Sequence, residues 1–231
     1  MKVEHLIFDM DNTLYPSCGA MDVGISRRML EGISEFFNVS IDEAVELRKK
    51  NIANHSTTLE WLISAGLTDV EWWFKKVHPE NEADELQEDK NLRPLLESIK
   101  IPKIVLTNAP SEHSDRVLKK LNVRDQFQMI CDIRFLEMKG KPYPSAFYKA
   151  MDAVGGTIDN TLFLDDLVKY TDGWQALGGT AVLVGQKHGH HLSPDSPAVF
   201  KGVAPHPGRT LNIDSVYDLP SLIERLNKEV V

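Results

Sequence analysis

Three short apolar runs, each ending in polar residues, constrain the fold of this 231-residue chain more than any other feature. The runs and the residues that follow them are 3–8 with Asp9, 104–106 with Thr107 and Asn108, and 162–164 with Asp165 and Asp166. Continuous aliphatic runs of this length are typical of strands buried on both faces of a parallel sheet. Helical patterns lie between the runs, so the sequence predicts an α/β protein with a doubly wound parallel sheet.

Other segments fit the same alternation of strands and helices. They are two predicted strands at 129–131 and 181–184 and three predicted helices at 111–121, 145–154 and 168–177. Ser111 is expected to cap the first of these helices. In doubly wound sheets, ligands bind beyond the carboxyl ends of the strands, near the switch in strand order. The polar residues that end the three runs are therefore predicted to share one ligand site.

Residues 16–92 differ in kind, because helical spacing of apolar residues continues through them without a strand-like run. Capping boxes at 40–43 and 68–71 indicate two helix starts. We predict a small all-helical domain at 16–92, inserted after the first strand, and a core domain made of 1–15 and 93–231. Four aromatic residues of the insertion could line a ligand site, but most of them are expected to pack in its interior: Trp61, Trp72, Trp73 and Phe74.

The charge and composition of the chain exclude several classes of partner. A net charge of -8 argues against nucleic acid or an anionic membrane surface. The two cysteines give neither a disulfide framework nor a zinc pattern. The chain does not open with a signal-peptide pattern, and no apolar run approaches membrane-spanning length. These features predict a cytoplasmic protein, and they do not distinguish a monomer from a homodimer.

A polar segment at 186–212 contains four histidines, which are His188, His190, His191 and His206. A metal site is one interpretation of this spacing. A surface loop is favoured, because the segment has no helix to place the ligands and no adjacent carboxylate in a fixed register. The chain then ends in a turn and an amphipathic helix at 214–226.

The pair Asp9 and Asp11 places two carboxylates one residue apart at the tip of the first strand. Burial of a carboxylate is costly, and a neighbour of like charge adds to the cost unless a cation compensates both. The pair therefore indicates a bound metal, a catalytic acid, or both. The alternative is an Asp-rich turn in which Asn12 and Thr13 cap a helix.

Four motifs in chain order carry a resemblance: Asp9-x-Asp11-x-Thr13, Thr107-Asn108, Lys141-Pro142 and Asp165-Asp166. In this order on an α/β chain, they resemble the motifs of the haloacid dehalogenase superfamily of phosphatases. The resemblance implies that a helical insertion after the first motif is a cap that closes over the site and selects the leaving group. Asp11 favours phosphoryl chemistry, because members that remove halide lack this second acid.

The resemblance also implies a role for each motif residue. Asp9 would be the nucleophile that forms an aspartyl-phosphate, and Asp11 the general acid and base. Mg²⁺ would be bound by Asp9, the backbone carbonyl of Asp11 and Asp166, with Asp165 as a direct or outer ligand. The phosphoryl oxygens would be held by the Thr107 hydroxyl, the Asn108 backbone N–H and the Lys141 ammonium.

Taken singly, each motif has a structural alternative. Residues 107–110 fit a strand-to-loop turn, Lys141 fits a solvated lysine, and Asp165-Asp166 fits a helix cap. Lys139 also competes with Lys141 for the phosphate. Lys141 is preferred because the proline and helix that follow it resemble the superfamily pattern. Four coincidences at matching strand ends are improbable, so the joint interpretation is favoured.

One position departs from the superfamily pattern. An Asn or Asp usually follows the paired acid of the fourth motif by four residues and steadies the waters of the metal. Here that residue is Tyr170, with Asp172 two residues further on. Either Asp172 takes this role, or the contact is lost.

The segment Asp11 to Pro16 is more specific than the motif of the whole superfamily, and it resembles the corresponding segment of the pyrimidine 5′-nucleotidase group. Residues 57–62, 77–78 and His113 agree, while His55-Ser56 stands where that group usually has tyrosine-glycine. The sequence therefore predicts a Mg²⁺-dependent phosphatase of nucleoside 5′-monophosphates, with pyrimidines preferred. The alternatives are a phosphatase of a sugar phosphate or phosphoglycolate, and a weakly active member that binds a phosphorylated ligand.

Overall fold

A computed structural model of the chain describes residues 1–16, 19–185 and 208–229. The described residues form two compact units. The first consists of 1–16, 88–185 and 208–229, and the second of 19–87. The four histidines of the predicted polar loop lie outside the described residues.

The first unit contains a six-stranded sheet. Its strands are β1 (His5–Phe8), β2 (Lys103–Leu106), β3 (Ile130–Cys131), β4 (Thr161–Asp165), β5 (Thr180–Val184) and β6 (Arg209–Ile213). They are all parallel and lie in the order β3-β2-β1-β4-β5-β6. The predicted α/β fold with a doubly wound parallel sheet is confirmed, and the order reverses direction beside β1, where such sheets bind ligands.

The helices account for most of the remaining described residues. They are α1 (Ala20–Phe37), α2 (Ile41–Ile52), α3 (Thr58–Ser64), α4 (Val70–Val77), α5 (Leu92–Ser98), α6 (Ser111–Lys120), α7 (Pro144–Val154), α8 (Val168–Ala176) and α9 (Leu219–Lys228). The first four belong to the second unit, and the other five belong to the first. None of the helices in the described part of the chain is long and apolar enough to cross a membrane.

The register of the central strand aligns the strand ends that carry the polar residues. Phe8, the last residue of β1, pairs with Val105 of β2 on one side and with Leu164 of β4 on the other. Because parallel neighbours advance together, Asp9, Thr107 and Asp165 come to the same edge of the sheet. The apolar runs therefore position the site as well as the core.

An aromatic cluster packs one face of this sheet. Phe147 of α7, Phe163 of β4 and Trp174 of α8 have ring centroids 5.3 to 5.6 Å apart and are fully buried. Burial of each ring is worth about 1.5–3 kcal/mol. The indole N–H of Trp174 is satisfied by the carbonyl of Thr180 at 3.0 Å. This packing fixes α7 and α8 against β4.

Two helix caps differ from the sequence-based expectation. Ser111 is the first residue of α6 rather than its cap, because the carbonyl of Pro110 already accepts from the Ser114 N–H at 3.3 Å. A carboxylate oxygen of Asp132 accepts from the Ser111 N–H at 2.9 Å. The start of α4 is capped by Asp69, which accepts from the Trp72 N–H at 2.9 Å, rather than by a box that begins at Thr68. The capping box at 40–43 is present.

The sixth strand was missed by sequence analysis. β6 overlaps the end of the segment predicted as a loop and pairs along its whole length with β5. It is one of the two edge strands of the described sheet, and most of its residues are only partly buried or exposed. An edge strand does not need a continuous apolar run, so the pattern that identified the inner strands is absent here.

The second unit packs around aromatic side chains, as the sequence predicts. Trp61, Trp73 and Phe74 are buried, while Trp72 is partly exposed. The ring of Trp61 stacks on Phe37 with centroids 5.4 Å apart. Trp61, Trp73 and Phe74 thus form part of the interior of the helical unit.

Candidate active site

Lys141 lies at the centre of the site, although it belongs to neither a strand nor a helix. Its ammonium nitrogen is 2.5 Å from Oδ1 of Asp9 and 2.6 Å from Oδ2 of Asp165. Asp9 follows β1 directly, and Asp165 is the last residue of β4. All three side chains are buried. The first and fourth motifs thus meet through one lysine.

A third carboxylate, that of Asp166, completes an acidic cluster. Carboxylate oxygens of Asp9, Asp165 and Asp166 all lie within 4.8 Å of one another. The remaining oxygens of two of them are also engaged. The Thr13 hydroxyl donates to Oδ2 of Asp9 at 3.0 Å, and the Leu167 N–H donates to Oδ1 of Asp165 at 2.9 Å.

Burial and mutual repulsion govern the electrostatics of this cluster. Burial, together with the charges of Asp165 and Asp11, raises the pKa of Asp9 to about 7, against the opposing effect of Lys141. Burial and the neighbouring Asp165 and Asp9 raise the pKa of Asp166 to about 9. Burial alone would lower the pKa of Lys141, but the two aspartates that contact it raise the pKa above its ordinary value.

The donor set of the cluster fits a divalent cation. Three clustered carboxylates face one ammonium, which leaves an excess of negative charge in a buried place. Carboxylate oxygens are ligands that Mg²⁺ prefers. The backbone carbonyl of Asp11, which is a further candidate ligand of the same ion, is also a hard oxygen donor. The cluster could therefore hold Mg²⁺.

Asp11 is held by two aromatic side chains that sequence analysis did not assign to the site. The Tyr15 hydroxyl donates to Oδ1 of Asp11, and Nε2 of His113 lies 2.8 Å from the same oxygen. His113 is fully buried in the first turn of α6. That turn follows β2 at the ligand edge of the sheet, which is the signal that could have identified it.

The second motif contacts Lys141 through a side chain. Oδ1 of Asn108 accepts from the Lys141 N–H at 2.7 Å, and Nδ2 of Asn108 donates to the Lys141 carbonyl at 2.9 Å. The neighbouring Thr107 is buried, and its hydroxyl oxygen accepts from the Ala109 N–H at 3.0 Å. The structure thus brings Thr107, Asn108 and Lys141 to one end of the sheet.

Lys139 and Lys141 differ in burial and in their ionic contacts. Lys139 is exposed, whereas Lys141 is fully buried between the two aspartates. A buried ammonium needs paired charges and is not a solvated surface lysine. The alternative in which Lys141 is a solvated turn residue is therefore wrong.

Tyr170 and Asp172 lie on different faces of α8. Tyr170 is buried, and its hydroxyl accepts a hydrogen bond from Nδ2 of Asn108 at 3.0 Å. Asp172 is exposed, and two residues along a helix correspond to a rotation of about 200°. Asp172 therefore does not take the position that the superfamily pattern gives to an Asn or Asp.

The family model described as haloacid dehalogenase-like hydrolase matches residues 3–169, which is most of the chain. The chain therefore belongs to the haloacid dehalogenase-like hydrolases. The predictions that it belongs to this superfamily and is an enzyme of the phosphatase class are confirmed. A curated relative is the 6-phosphogluconate phosphatase of Escherichia coli (strain K12), which is 25% identical over 172 residues, covering 72% of this chain and 76% of that protein.

Solved structures share the fold over nearly their whole length. A HAD phosphatase from Thermococcus onnurineus has a TM-score of 0.62 at 18% identity, with 96% of this chain and 98% of that chain covered. The L-2-haloacid dehalogenase from Xanthobacter autotrophicus has a TM-score of 0.58 at 15% identity, with the same coverage. The HAD-hydrolase YfnB from Bacillus subtilis, bound to magnesium, has a TM-score of 0.60 at 14% identity, covering 97% of this chain and 100% of that chain.

Proposed function

We propose that this chain hydrolyses phosphomonoesters in a Mg²⁺-dependent reaction through an aspartyl-phosphate on Asp9. The observation that carries the proposal is the position of the Lys141 ammonium, 2.5 and 2.6 Å from Asp9 and Asp165 at the ends of two neighbouring strands. In this proposal the nucleophile, the acidic cluster and the cation that binds the phosphoryl group are the side chains that this contact joins. Family membership supports the same reaction class.

The reaction has two displacements. In the first, a carboxylate oxygen of Asp9 attacks phosphorus and the ester P–O bond breaks, while Asp11 donates a proton to the leaving alcohol oxygen. In the second, water attacks phosphorus, Asp11 takes back a proton, and the bond from Asp9 to phosphorus breaks. The products are an alcohol and inorganic phosphate, and both aspartates return to their starting state.

Charge compensation is the other part of the proposal. Asp9, Asp166 and the backbone carbonyl of Asp11 would hold Mg²⁺, and the bound ion would supply positive charge beside the phosphoryl oxygens. Asp165 would either bind the ion directly or act as an outer ligand, and its contact with Lys141 would fix the lysine in both cases. The lysine ammonium, the Thr107 hydroxyl and the backbone N–H of Asn108 would hold the phosphoryl oxygens.

The proposed substrate is a nucleoside 5′-monophosphate, with pyrimidines preferred. Support comes from the segment at 11–16, whose Tyr15 hydroxyl contacts the Asp11 carboxylate, and from the segments in the helical unit that resemble the pyrimidine 5′-nucleotidase group. In this proposal Asp11 protonates the 5′ oxygen of the nucleoside. The enzyme is proposed to work in the cytoplasm on a small substrate, without nucleic acid or membrane.

A second candidate substrate is a phosphorylated sugar or sugar acid. The similarity to the 6-phosphogluconate phosphatase of Escherichia coli favours it. The chemistry at phosphorus is the same for both candidates, so they differ only in the group that leaves with the ester oxygen. A substrate panel therefore separates them without changing the mechanism.

The test has two stages. Phosphate release from p-nitrophenyl phosphate is measured with Mg²⁺ and with EDTA, for the wild type, for Asp9→Asn and for Asp172→Asn as an exposed control. We expect release that requires Mg²⁺, is abolished in Asp9→Asn and is retained in Asp172→Asn. Activity that survives in Asp9→Asn would contradict the proposal that Asp9 is the nucleophile. A rate that does not depend on Mg²⁺ would contradict the proposed metal requirement.

The second stage ranks kcat/KM for CMP, UMP, AMP, 6-phosphogluconate and phosphoglycolate. Highest values for CMP and UMP are the expected result. A maximum at 6-phosphogluconate would replace the nucleotide proposal with the second candidate. A uniformly weak profile, with tight binding of inorganic phosphate, would indicate a phosphorylated-ligand binder instead.

A further inference from the structure

We propose that Tyr170 and Asn108 act together as positioning residues for Lys141. They hold its backbone and its ammonium in the orientation that faces the two aspartates. This inference rests on the proposed function, in which Lys141 binds the phosphoryl group. It assigns Tyr170 a role at the lysine, whereas the residue that usually occupies this position steadies the metal waters.

The side-chain amide of Asn108 forms hydrogen bonds with both the backbone N–H and the backbone carbonyl of Lys141. The amide oxygen of Asn108 accepts from the Lys141 N–H at 2.7 Å, and the amide nitrogen donates to the Lys141 carbonyl at 2.9 Å. A primary amide has two N–H donors, so one donor remains after the second of these bonds. That donor is used on the Tyr170 hydroxyl, at 3.0 Å.

Tyr170 contacts the other end of the same lysine. The Lys141 ammonium lies 4.9 Å from the centroid of the Tyr170 ring, which is within the range of a cation–π contact. Because the tyrosine is buried, little water screens this attraction. One tyrosine side chain therefore connects to Lys141 twice, through its ring directly and through its hydroxyl by way of Asn108.

Two glycines allow the chain on either side of Lys141 to pack closely against its neighbours. A Cβ atom at Gly140 would lie 2.0 Å from the amide oxygen of Asn108, so only glycine lets that oxygen reach the next residue. A Cβ at Gly173, three residues after Tyr170 on α8, would lie 3.0 Å from the Cβ of Pro142. The chain on both sides of Lys141 is thus fitted closely to Asn108 and to α8.

These contacts restrict the orientation of a side chain that is otherwise flexible. Its ammonium sits on a flexible four-carbon stem, and Lys141 itself lies outside the helices and strands of the described chain. Two carboxylates alone would fix the charge but not the direction from which it approaches a phosphoryl group. The amide of Asn108 fixes the start of the stem, and the ring of Tyr170 fixes its end.

The kinetic experiment uses p-nitrophenyl phosphate with Mg²⁺, and inorganic phosphate as a competitive inhibitor. The variants are Tyr170→Phe, Tyr170→Leu and, as a control, Tyr148→Leu at an exposed tyrosine on α7. For Tyr170→Leu we expect kcat to fall about ten- to a hundredfold. We expect the Ki of inorganic phosphate to rise about threefold to thirtyfold. Tyr170→Phe keeps the ring, so its kcat and its Ki should lie between those of Tyr170→Leu and those of the wild type.

The inhibition constant separates positioning from structural damage. A smaller folded fraction lowers the apparent kcat but leaves the Ki of inorganic phosphate unchanged. A loss of kcat with an unchanged Ki in Tyr170→Leu would therefore overturn the inference, as would values of both within about twofold of the wild type. The control variant should keep both values.

A double-mutant cycle tests the Tyr170–Asn108 link without any need for activity. Urea midpoints are measured for Tyr170→Phe, Asn108→Ala and the double variant. We expect Tyr170→Phe to lower the urea midpoint less in the Asn108→Ala background than in the wild type. The shift of the double variant should therefore differ from the sum of the two single shifts. Additive shifts would overturn the link. If the wild type lacks Asp9-dependent phosphatase activity, the proposed function fails on its own, and the cycle together with calorimetric binding of inorganic phosphate still decides this inference.

Discussion

The Nε2 atom of His113 lies 2.8 Å from Oδ1 and 3.1 Å from Oδ2 of Asp11, so one buried imidazole meets both oxygens of a carboxylate. The two residues are far apart in sequence, and β2 with the first turn of α6 brings them together. The Tyr15 hydroxyl contacts the same carboxylate. The side chain proposed to transfer protons is therefore held by two partners that come from different segments.

Replacement of His113 should impair catalysis by releasing Asp11. For His113→Gln we expect kcat on p-nitrophenyl phosphate to fall about tenfold to a hundredfold, because a displaced general acid no longer reaches the leaving oxygen. A matched control is His5→Gln, since His5 begins β1 at the end opposite to the site. The measurement is kcat at saturating substrate, with circular dichroism to establish folding. A kcat within about twofold of the wild type would rule out a positioning role for the histidine.

Gly140→Ala should damage both stability and activity. The new Cβ would lie 2.0 Å from Oδ1 of Asn108, and the same oxygen holds the N–H of Lys141. Overpacking of this kind costs about 1–3 kcal/mol in the free energy of unfolding, which urea denaturation measures. Activity should fall as well, because the clash displaces the lysine.

Lys139→Ala, at an exposed position two residues earlier than Lys141, is the control for this substitution. It should leave both the urea midpoint and kcat near the wild-type values. An unchanged midpoint in Gly140→Ala would show that Asn108 moves aside without cost.

The ion pair between Arg93 and Asp125 should make part of the stability depend on acid pH. Two guanidinium nitrogens donate to the carboxylate at 2.7 Å, and these hydrogen bonds lower the pKa of Asp125 to about 2. An unfolded aspartate has a pKa of about 4. The folded state therefore binds fewer protons, so the contribution is present above about pH 4 and is lost as the pH falls toward 2.

The measurement is the urea midpoint of wild type and Asp125→Asn across this pH range. We expect the variant to have the lower midpoint at pH 7 and the difference to narrow below about pH 4. Asp152→Asn, at another exposed aspartate, should not show this convergence. A gap of constant size down to pH 2 would mean that the carboxylate charge contributes nothing to stability. Because the pair is exposed, the effect should also weaken at high salt.

The inner strands could be predicted because each is buried on both faces and carries a continuous aliphatic run. Their polar ends could be predicted to meet, since parallel strands share one carboxyl edge. β6 could not be predicted in this way, because an edge strand lacks such a run. The contacts of Tyr170 with Asn108 and Lys141, and of His113 with Asp11, join segments distant in sequence. They depend on side-chain packing that no local pattern encodes.

The position of β1 between β2 and β4 has a consequence for motion at the site. The N–H of Asp9 still donates to the Leu164 carbonyl at 2.8 Å, so the sheet ladder extends through the residue proposed as nucleophile. To shift Asp9, the strand before it would have to break hydrogen bonds with two neighbours at once. Fluctuations needed for substrate entry and product release should therefore occur in the groups around Asp9, while the backbone that carries the attacking carboxylate stays in place. Amide hydrogen exchange at Asp9 should accordingly be among the slowest in the chain.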